Sequence, residues 1–162
     1  MALLSILLVS CGAQTTETSP IPTAAATLDP KNVLYENINQ VLGTDDRQLP
    51  RLTKISYSAP EAGDITITWA INDDVLQNST EVNAQIDAVN ILKALKNNKT
   101  RFIYVILIGT ISMQDKSGNV VEIQAMSLGF NKSKLDKIHW EDFQPSDIYD
   151  IADVVEIAEE WK

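Results

Sequence analysis

The sequence predicts an α+β fold, a four-stranded antiparallel sheet with helices packed on it, in the order α-β-β-α-β-β-α. Apolar residues make up 44% of the 162 residues and charged residues 22%, which is typical of one folded domain. Apolar side chains recur at helical spacing in three long segments. Between these segments lie two pairs of strand-like stretches, each pair joined by a short turn, which predicts two hairpins.

The first helix and the first hairpin are predicted from local signals. Asp29-Pro30 is a typical helix start and Gly43 a typical stop. The strands of the hairpin are 51–58 and 64–71. The second strand alternates, which predicts one buried face and one solvated face that carries Thr66 and Thr68.

The second half of the domain is predicted to begin with a long helix, capped by Ser79 or Thr80 and ending near Lys96. Its expected buried stripe consists of Val82, Ile86, Val89, Leu92 and Leu95. The stretch 102–113 is apolar on both sides, so we expect a terminal helix to cover its second face, the alternative being that this face binds something. Gly109 predicts a bulge or a sharp bend. A turn at 115–119, a return strand 120–130, a short helix at 133–138 and a final helix 146–161 complete the prediction.

The N-terminus carries the most specific motif. Residues 2–9 form a short apolar run that is typical of a signal-peptide core, and Leu8-Val9-Ser10-Cys11 follows it. This segment resembles the lipobox of bacterial lipoproteins, in which the cysteine thiol accepts a lipid after cleavage. The resemblance implies a signal peptide at 1–10 and a lipidated Cys11 that binds the bilayer. It also implies a place on the cell membrane, at its extracytoplasmic face.

The segment that follows Cys11 is rich in Thr, Ala, Ser and Pro and lacks bulky apolar side chains. Such a stretch cannot bury enough surface to offset its ordering entropy, so residues 11–28 are predicted to form a flexible tether of roughly 25 Å reach. Residues 29–162 then form the single domain. Cys11 is the only cysteine, which excludes an intramolecular disulfide and a cysteine zinc site.

The charge of the chain restricts its partners. The formal net charge is -9, which disfavours nucleic acid and anionic lipid headgroups as partners. The nearest thing to a basic cluster, Lys93, Lys96, Lys99 and Arg101, falls at a predicted helix end, where cations complement the helix dipole. The acidic residues Asp153, Glu156 and Glu160 are predicted to share the polar face of the last helix, a solvated face or a binding surface.

The sequence contains no catalytic motif, and we predict neither a cofactor nor a metal. His139 is the only histidine and could act as a base with Glu141 or Asp142, but no nucleophile motif accompanies it. The Asp115-x-Ser117-x-Asn119 segment departs from the calcium-loop pattern and predicts a hairpin turn instead.

The rest of the chain resembles uncharacterised secreted bacterial domains. The likeness rests on a strand that ends in Asn-Asp, on Asp87-Ala88 followed by the segment 91–95, and on Asp115-x-x-Gly118-Asn119. It implies a fold unit and no activity. We therefore expect a lipid-anchored, non-catalytic module that binds a ligand or an envelope protein through Thr66 and Thr68, the second face of 102–113, or the acidic C-terminus. The alternatives are an extracytoplasmic hydrolase that uses His139 and a calcium-dependent adhesive module.

Overall fold

A computed structural model of the protein describes residues 29–45, 48–59, 63–72 and 77–159. The predicted signal peptide, Cys11, the predicted tether and Glu160 lie outside the described residues. The helices are α1 (Pro30–Leu42), α2 (Gln77–Asn97), α3 (Lys132–Leu135) and α4 (Ile148–Ile151), and a short 3-10 helix, Pro145–Asp147, precedes α4. The strands are β1 (Leu52–Tyr57), β2 (Ile65–Ala70), β3 (Tyr104–Gln114), β4 (Val120–Asn131) and β5 (Val154–Ile157).

The described strands form one mixed sheet in the order β1-β2-β3-β4-β5. The pairs β1–β2, β3–β4 and β4–β5 are antiparallel, whereas β2 and β3 are parallel. The α+β class and the two hairpins are therefore confirmed, but the prediction of four antiparallel strands is wrong. The parallel pair arises because α2 carries the chain back to the starting end of β2, which a crossover helix must do to join parallel neighbours.

The predicted C-terminal helix 146–161 is also wrong, since the chain forms only the short α4 and then strand β5. Val154, Val155 and Ile157 are β-branched and favour an extended backbone. A helix through this segment would also place Glu156 and Glu159 near its C-terminus, where the helix dipole disfavours negative charge. Pairing with β4 gives the backbone of the segment hydrogen-bond partners instead.

The core lies on one face of the sheet, where α1 and α2 pack. Leu34, Ile38 and Leu42 of α1 are buried, as the helical spacing predicts. On α2, Val89, Leu92 and Leu95 are buried with Ala84, Ala88 and Ile91. The prediction that Val82 and Ile86 belong to this stripe is wrong, because their exposed fractions are 50% and 39%. Ala84 and Ala88 have small side chains, so the face of α2 that carries them packs closely against the core, and the face that carries Val82 and Ile86 remains exposed.

The longest hairpin extends beyond the rest of the sheet. The predicted bulge is confirmed by a register shift between Gly109 and Thr110, opposite Ala125. A Cβ atom on Gly109 would lie 2.7 Å from Cδ1 of Ile71, which explains the need for glycine. Beyond Thr110 and Gln124, β3 and β4 pair only with each other among the described strands, up to the turn at Asp115–Asn119. We call residues 111–123 the hairpin arm.

Candidate functional site

The face of the sheet opposite the core is open. Successive residues of a strand point to opposite faces, and in both β2 and β3 buried residues alternate with half-buried ones. The half-buried residues do not belong to the core cluster. We define the open face by the residues that the register places together on this side of the sheet, which are Lys54, Ser56, Thr66, Thr68, Tyr104, Ile106, Ile108, Ser127, Gly129, Val154 and Glu156.

The two strand surfaces that the sequence offers as binding candidates are neighbours on the open face. The parallel register pairs Thr66 with Ile106 and Thr68 with Ile108. The second face of β3 therefore lies beside the threonines, and no described helix joins Ile106 or Ile108 to the core cluster. The centre of the open face is thus aliphatic, with hydroxyl groups along one side.

Charged side chains lie at the two edges of the open face. In one row across the sheet, Lys54 pairs with Thr68 at the β1 edge. At the other edge Glu156 of β5 pairs with Ser127, which itself pairs with Ile108. The open face therefore has a positive edge and a negative edge, about 19 Å apart at ordinary strand spacing. The sequence did not predict that Glu156 would join Thr66 and Thr68, because it placed Glu156 on a helix.

Asp153 lies at one end of the same face and its carboxylate is already bonded. The backbone N–H of Asn131 donates to its Oδ2 at 2.8 Å, and Nζ of Lys134 donates to its Oδ1 at 2.9 Å. The Lys134 hydrogen bond and the Asn131 hydrogen bond hold the pKa of Asp153 below its ordinary value. Asp153 therefore fixes the start of β5 against β4 and offers less to a ligand than Glu156 does.

Tyr104 lies across the open face above Gly129. A Cβ atom on Gly129 would collide with the Tyr104 hydroxyl, so the glycine makes room for the ring. Burial and the nearby Asp153 carboxylate raise the pKa of Tyr104 above its ordinary value. The phenol therefore stays neutral and provides a hydrogen-bonding group at the end of the aliphatic centre.

His139 lies outside the open face. It is exposed and lines a cavity of about 510 Å³ together with Lys93, Lys96, Glu141 and Asp142. Within the described part of the chain no hydrogen bond or ion pair joins His139 to either carboxylate. The structure therefore brings the residues of the hydrolase hypothesis into one cavity without the hydrogen bond that would orient a base.

No group of three potential metal-ligating side chains occurs among the residues that the structure describes. The carboxylate of Asp115 is used within its own turn, where it accepts hydrogen bonds from the backbone N–H groups of Ser117 and Asn119, both at 2.8 Å. Gly118, with φ +83°, completes this turn. The prediction of a hairpin turn at this position is confirmed.

A buried ion pair between Arg51 and Asp87 was not predicted from the sequence. The guanidinium group of Arg51 donates to both carboxylate oxygens of Asp87 and to the carbonyl oxygens of Leu42 and Ala70. The indole N–H of Trp69 donates to Asp87 at 3.2 Å. The available signal was an acid at position 87 within the apolar spacing of α2, beside Ala84, Ala88 and Ile91. These hydrogen bonds connect α1, β2 and α2 on the core face of the sheet.

The chain matches no protein-family model, no curated protein and no solved structure. Among the described residues, no helix is both long enough and apolar enough to cross a membrane.

Proposed function

We propose that the protein is a membrane-tethered extracytoplasmic lipoprotein, and that its domain is a non-catalytic module that binds an envelope protein through the open face. The lipobox-like segment before Cys11 and the tether 11–28 support the tethering. The aliphatic centre of the open face supports the binding role, and it is the single observation that carries the proposal.

The shape of the open face favours a protein over a small ligand. Thr66, Ile106 and Ile108 line none of the five cavities of about 270 to 510 Å³ that the described residues form at other places. Small-molecule sites are concave, whereas protein interfaces are broad, with an apolar centre that charged residues avoid and a polar rim. Ile106 and Ile108 lie at the centre, and Lys54 and Glu156 lie at the rim.

The edge charges define the chemistry of the partner. It presents an aliphatic patch to Ile106 and Ile108, a negative group near Lys54 and a positive group near Glu156. Such complementarity contributes more to orientation and association rate than to affinity. Tethering by Cys11 would confine the module to the membrane surface, where an envelope protein meets it at a high effective concentration.

Site-specific photo-cross-linking in intact cells tests the binding role. A photoreactive amino acid, p-benzoylphenylalanine, replaces Ile108 in one strain and Val82 in another. Val82 is the matched control because it is also aliphatic, is half exposed and lies on α2, on the other side of the sheet. We expect one discrete adduct from position 108 and none from position 82.

The adduct must also depend on the chemistry of the open face. Adding Ile106→Asp to the position-108 probe should abolish the adduct while the purified protein keeps a cooperative unfolding transition, because Ile106 is outside the core cluster. An adduct of equal yield at position 82, or one insensitive to Ile106→Asp, would exclude the open face as the docking surface. An adduct between two copies of this chain would show that the open face mediates self-association, and the proposal of an envelope-protein partner would then be wrong.

Metabolic labelling tests the tether independently. Cells supplied with an alkyne analogue of palmitate should label the wild-type protein, and Cys11→Ser should remove both the label and the membrane association. Ser19→Thr is the matched control, since it changes a residue of the predicted tether outside the lipobox-like segment and keeps the thiol. Unlabelled wild-type protein would show that Cys11 carries no lipid.

The hydrolase remains the alternative because His139, Glu141 and Asp142 line one cavity. It requires that His139→Ala remove a hydrolytic activity while the melting temperature stays constant. The calcium-dependent module requires stabilisation by calcium that EDTA reverses.

A further inference from the structure

A basic patch lies where the described chain begins. Two adjoining cavities, of about 430 and 270 Å³, share Lys99, Thr100 and Arg101. Their walls carry five cations, which we call the basic patch and which come from α1, the end of α2, the turn after it and the start of α3: Lys31, Lys96, Lys99, Arg101 and Lys132.

The charge of the basic patch contrasts with that of the chain. Only two acids, Asp29 and Asp136, line the same cavities, and Asp136 is paired with Lys132. The residues that line the two cavities therefore carry a formal charge of +3 (five cations less two acids). Because the whole chain has a formal net charge of -9, the remaining residues carry -12. Lys96, Lys99 and Arg101 form no ion pair with any residue that the structure describes.

Helix-dipole complementation, which the sequence favours for this cluster, does not account for the patch. Lys96 lies in the last turn of α2, where a cation is favourable. Lys31, however, lies in the first turn of α1, where the dipole disfavours it, and its Nζ lies 4.7 Å from the centre of the Tyr57 ring. The fold therefore gathers cations here beyond what the helix ends require.

Lys99 indicates that a cation at this position has a use. Its φ is +51°, in the left-handed region where glycine commonly ends a helix and where other residues are disfavoured. Glycine at position 99 would relieve that strain, so the chain carries a lysine at a cost to its stability. Strained positions of this kind occur preferentially at functional sites.

An exposed isoleucine lies beside the basic patch. Ile103 is 60% exposed, and its carbonyl oxygen accepts a hydrogen bond from the backbone N–H of Lys132. Ile103 lines neither cavity, but cations with an exposed aliphatic residue beside them suit a membrane interface, because headgroups attract the charge and the acyl region accepts the side chain.

We infer that the basic patch binds the surface of an anionic phospholipid membrane and orients the domain on it. Asp29, the first residue after the tether, lines the patch, so a lipid on Cys11 would hold this end of the molecule near the bilayer. The orientation rests on the proposed tether, whereas binding by the patch itself does not. The acidic remainder of the molecule would then face away from the anionic surface, which agrees with the charge asymmetry.

Vesicle co-sedimentation of residues 12–162, which lack the predicted signal peptide and Cys11, tests the inference. The probes are vesicles of phosphatidylcholine alone and vesicles of phosphatidylcholine mixed equally with phosphatidylglycerol. We expect binding only to the mixed vesicles and at low salt. The double variant Lys99→Gln/Arg101→Gln should bind about 30-fold more weakly, at about 1 kcal/mol for each cation near the surface.

Two further variants keep the test independent of folding. Lys116→Gln/Lys137→Gln removes the same charge from outside both the patch and the open face and should change binding by less than about 2-fold. Lys99→Gly should unfold at a higher denaturant concentration and yet bind about 5-fold more weakly. Equal binding by both double variants would overturn the inference, as would binding to neutral vesicles.

Two results distinguish membrane binding by the basic patch from the binding of free phosphate and from the proposed tether. Stabilisation of the chain by inorganic phosphate, without binding to the mixed vesicles, would overturn the membrane assignment. Failure of palmitate labelling at Cys11 together with patch-dependent vesicle binding would overturn the proposed tether and support the patch.

Discussion

Arg51 and Asp87 hold opposite charges where almost no water reaches them. Their side chains are 5% and 10% exposed, and burial raises the pKa of Asp87 while the hydrogen bonds and charge of Arg51 oppose that rise. A buried pair of this kind contributes little net stability when both partners are present, because the desolvation of the charges offsets their attraction. Removal of only one partner destabilises the fold, since the remaining buried charge then has no counter-ion.

Asp87→Ala should therefore destabilise the domain strongly. The substitution leaves the guanidinium group of Arg51 buried without its counter-ion, which costs about 3–5 kcal/mol in the free energy of unfolding. Urea denaturation measures this loss. The matched control is Asp136→Ala, which breaks the exposed pair with Lys132 and should cost no more than about 0.5 kcal/mol.

The double variant Arg51→Met/Asp87→Asn distinguishes a stranded charge from lost packing. Because it removes both charges and keeps the volume, it should recover most of the stability that Asp87→Ala loses. A double variant less stable than Asp87→Ala would contradict this account, and the geometry of the pair would then have a role beyond charge neutralisation.

Tyr149 should be the last tyrosine to ionise. Burial and the neighbouring Glu81 raise its pKa from 10.0 to about 12, and its hydroxyl donates to Oε1 of Glu81 at 3.0 Å. Since the raised pKa belongs to the folded state, its stabilising contribution is complete below pH 10 and is lost as the pH rises through about 12. Ultraviolet difference titration should show this step in the wild type and not in Tyr149→Phe. An alkaline titration of Tyr149→Phe that matched the wild type would exclude the assignment.

Among the elements, β5 best illustrates what local sequence patterns leave open. The spacing of Ile148, Ile151 and Val155 suits a helix, whereas the β-branched run Val154-Val155 suits a strand. The outcome depends on the free edge of β4, which is distant in sequence and absent from any local pattern. The hairpins, by contrast, could be predicted because alternation and turn residues lie within a few positions of each other.

Glu156→Val should promote association between copies of the chain through β5, the edge strand of the sheet. The substitution turns β5 into the uninterrupted apolar strand Val-Val-Val-Ile at the edge of the sheet, and charged side chains are a common protection against edge-to-edge association. Light scattering during incubation at moderate temperature should rise relative to the wild type. Glu141→Val removes the same charge from a loop and should scatter as the wild type does. Equal scattering by the two variants would mean that lost charge alone, and not the strand edge, promotes association.

At the scale of the molecule, the described buried apolar residues form one core cluster that includes α1, α2 and the sheet. Trp69 and Trp140 both belong to it, although they lie far apart in the sequence. A single core of this size should unfold in one cooperative transition. Tryptophan fluorescence and far-ultraviolet circular dichroism should therefore give the same denaturation midpoint. Two separated midpoints would show that the hairpins unfold independently.

The candidate site could be predicted only in parts. Alternation in β2 indicates Thr66 and Thr68, and the doubly apolar β3 indicates a second surface, but their contact depends on the parallel register that α2 imposes. Glu156 joins them only because β5 pairs with β4. The basic patch likewise gathers Lys31, Arg101 and Lys132 from three distant segments, so net charge alone suggested the opposite surface chemistry.

The hairpin arm gives the molecule a natural attachment point. With four residues in each strand beyond the pair Thr110–Gln124, the tip formed by its turn lies at least about 13 Å from the last row of the sheet. Ser117 is exposed at this tip, outside the core cluster, the open face and the basic patch. A fluorophore, tag or immobilising linker placed there would act as a handle at a distance, so that partner binding and membrane binding could be observed on the same captured molecule.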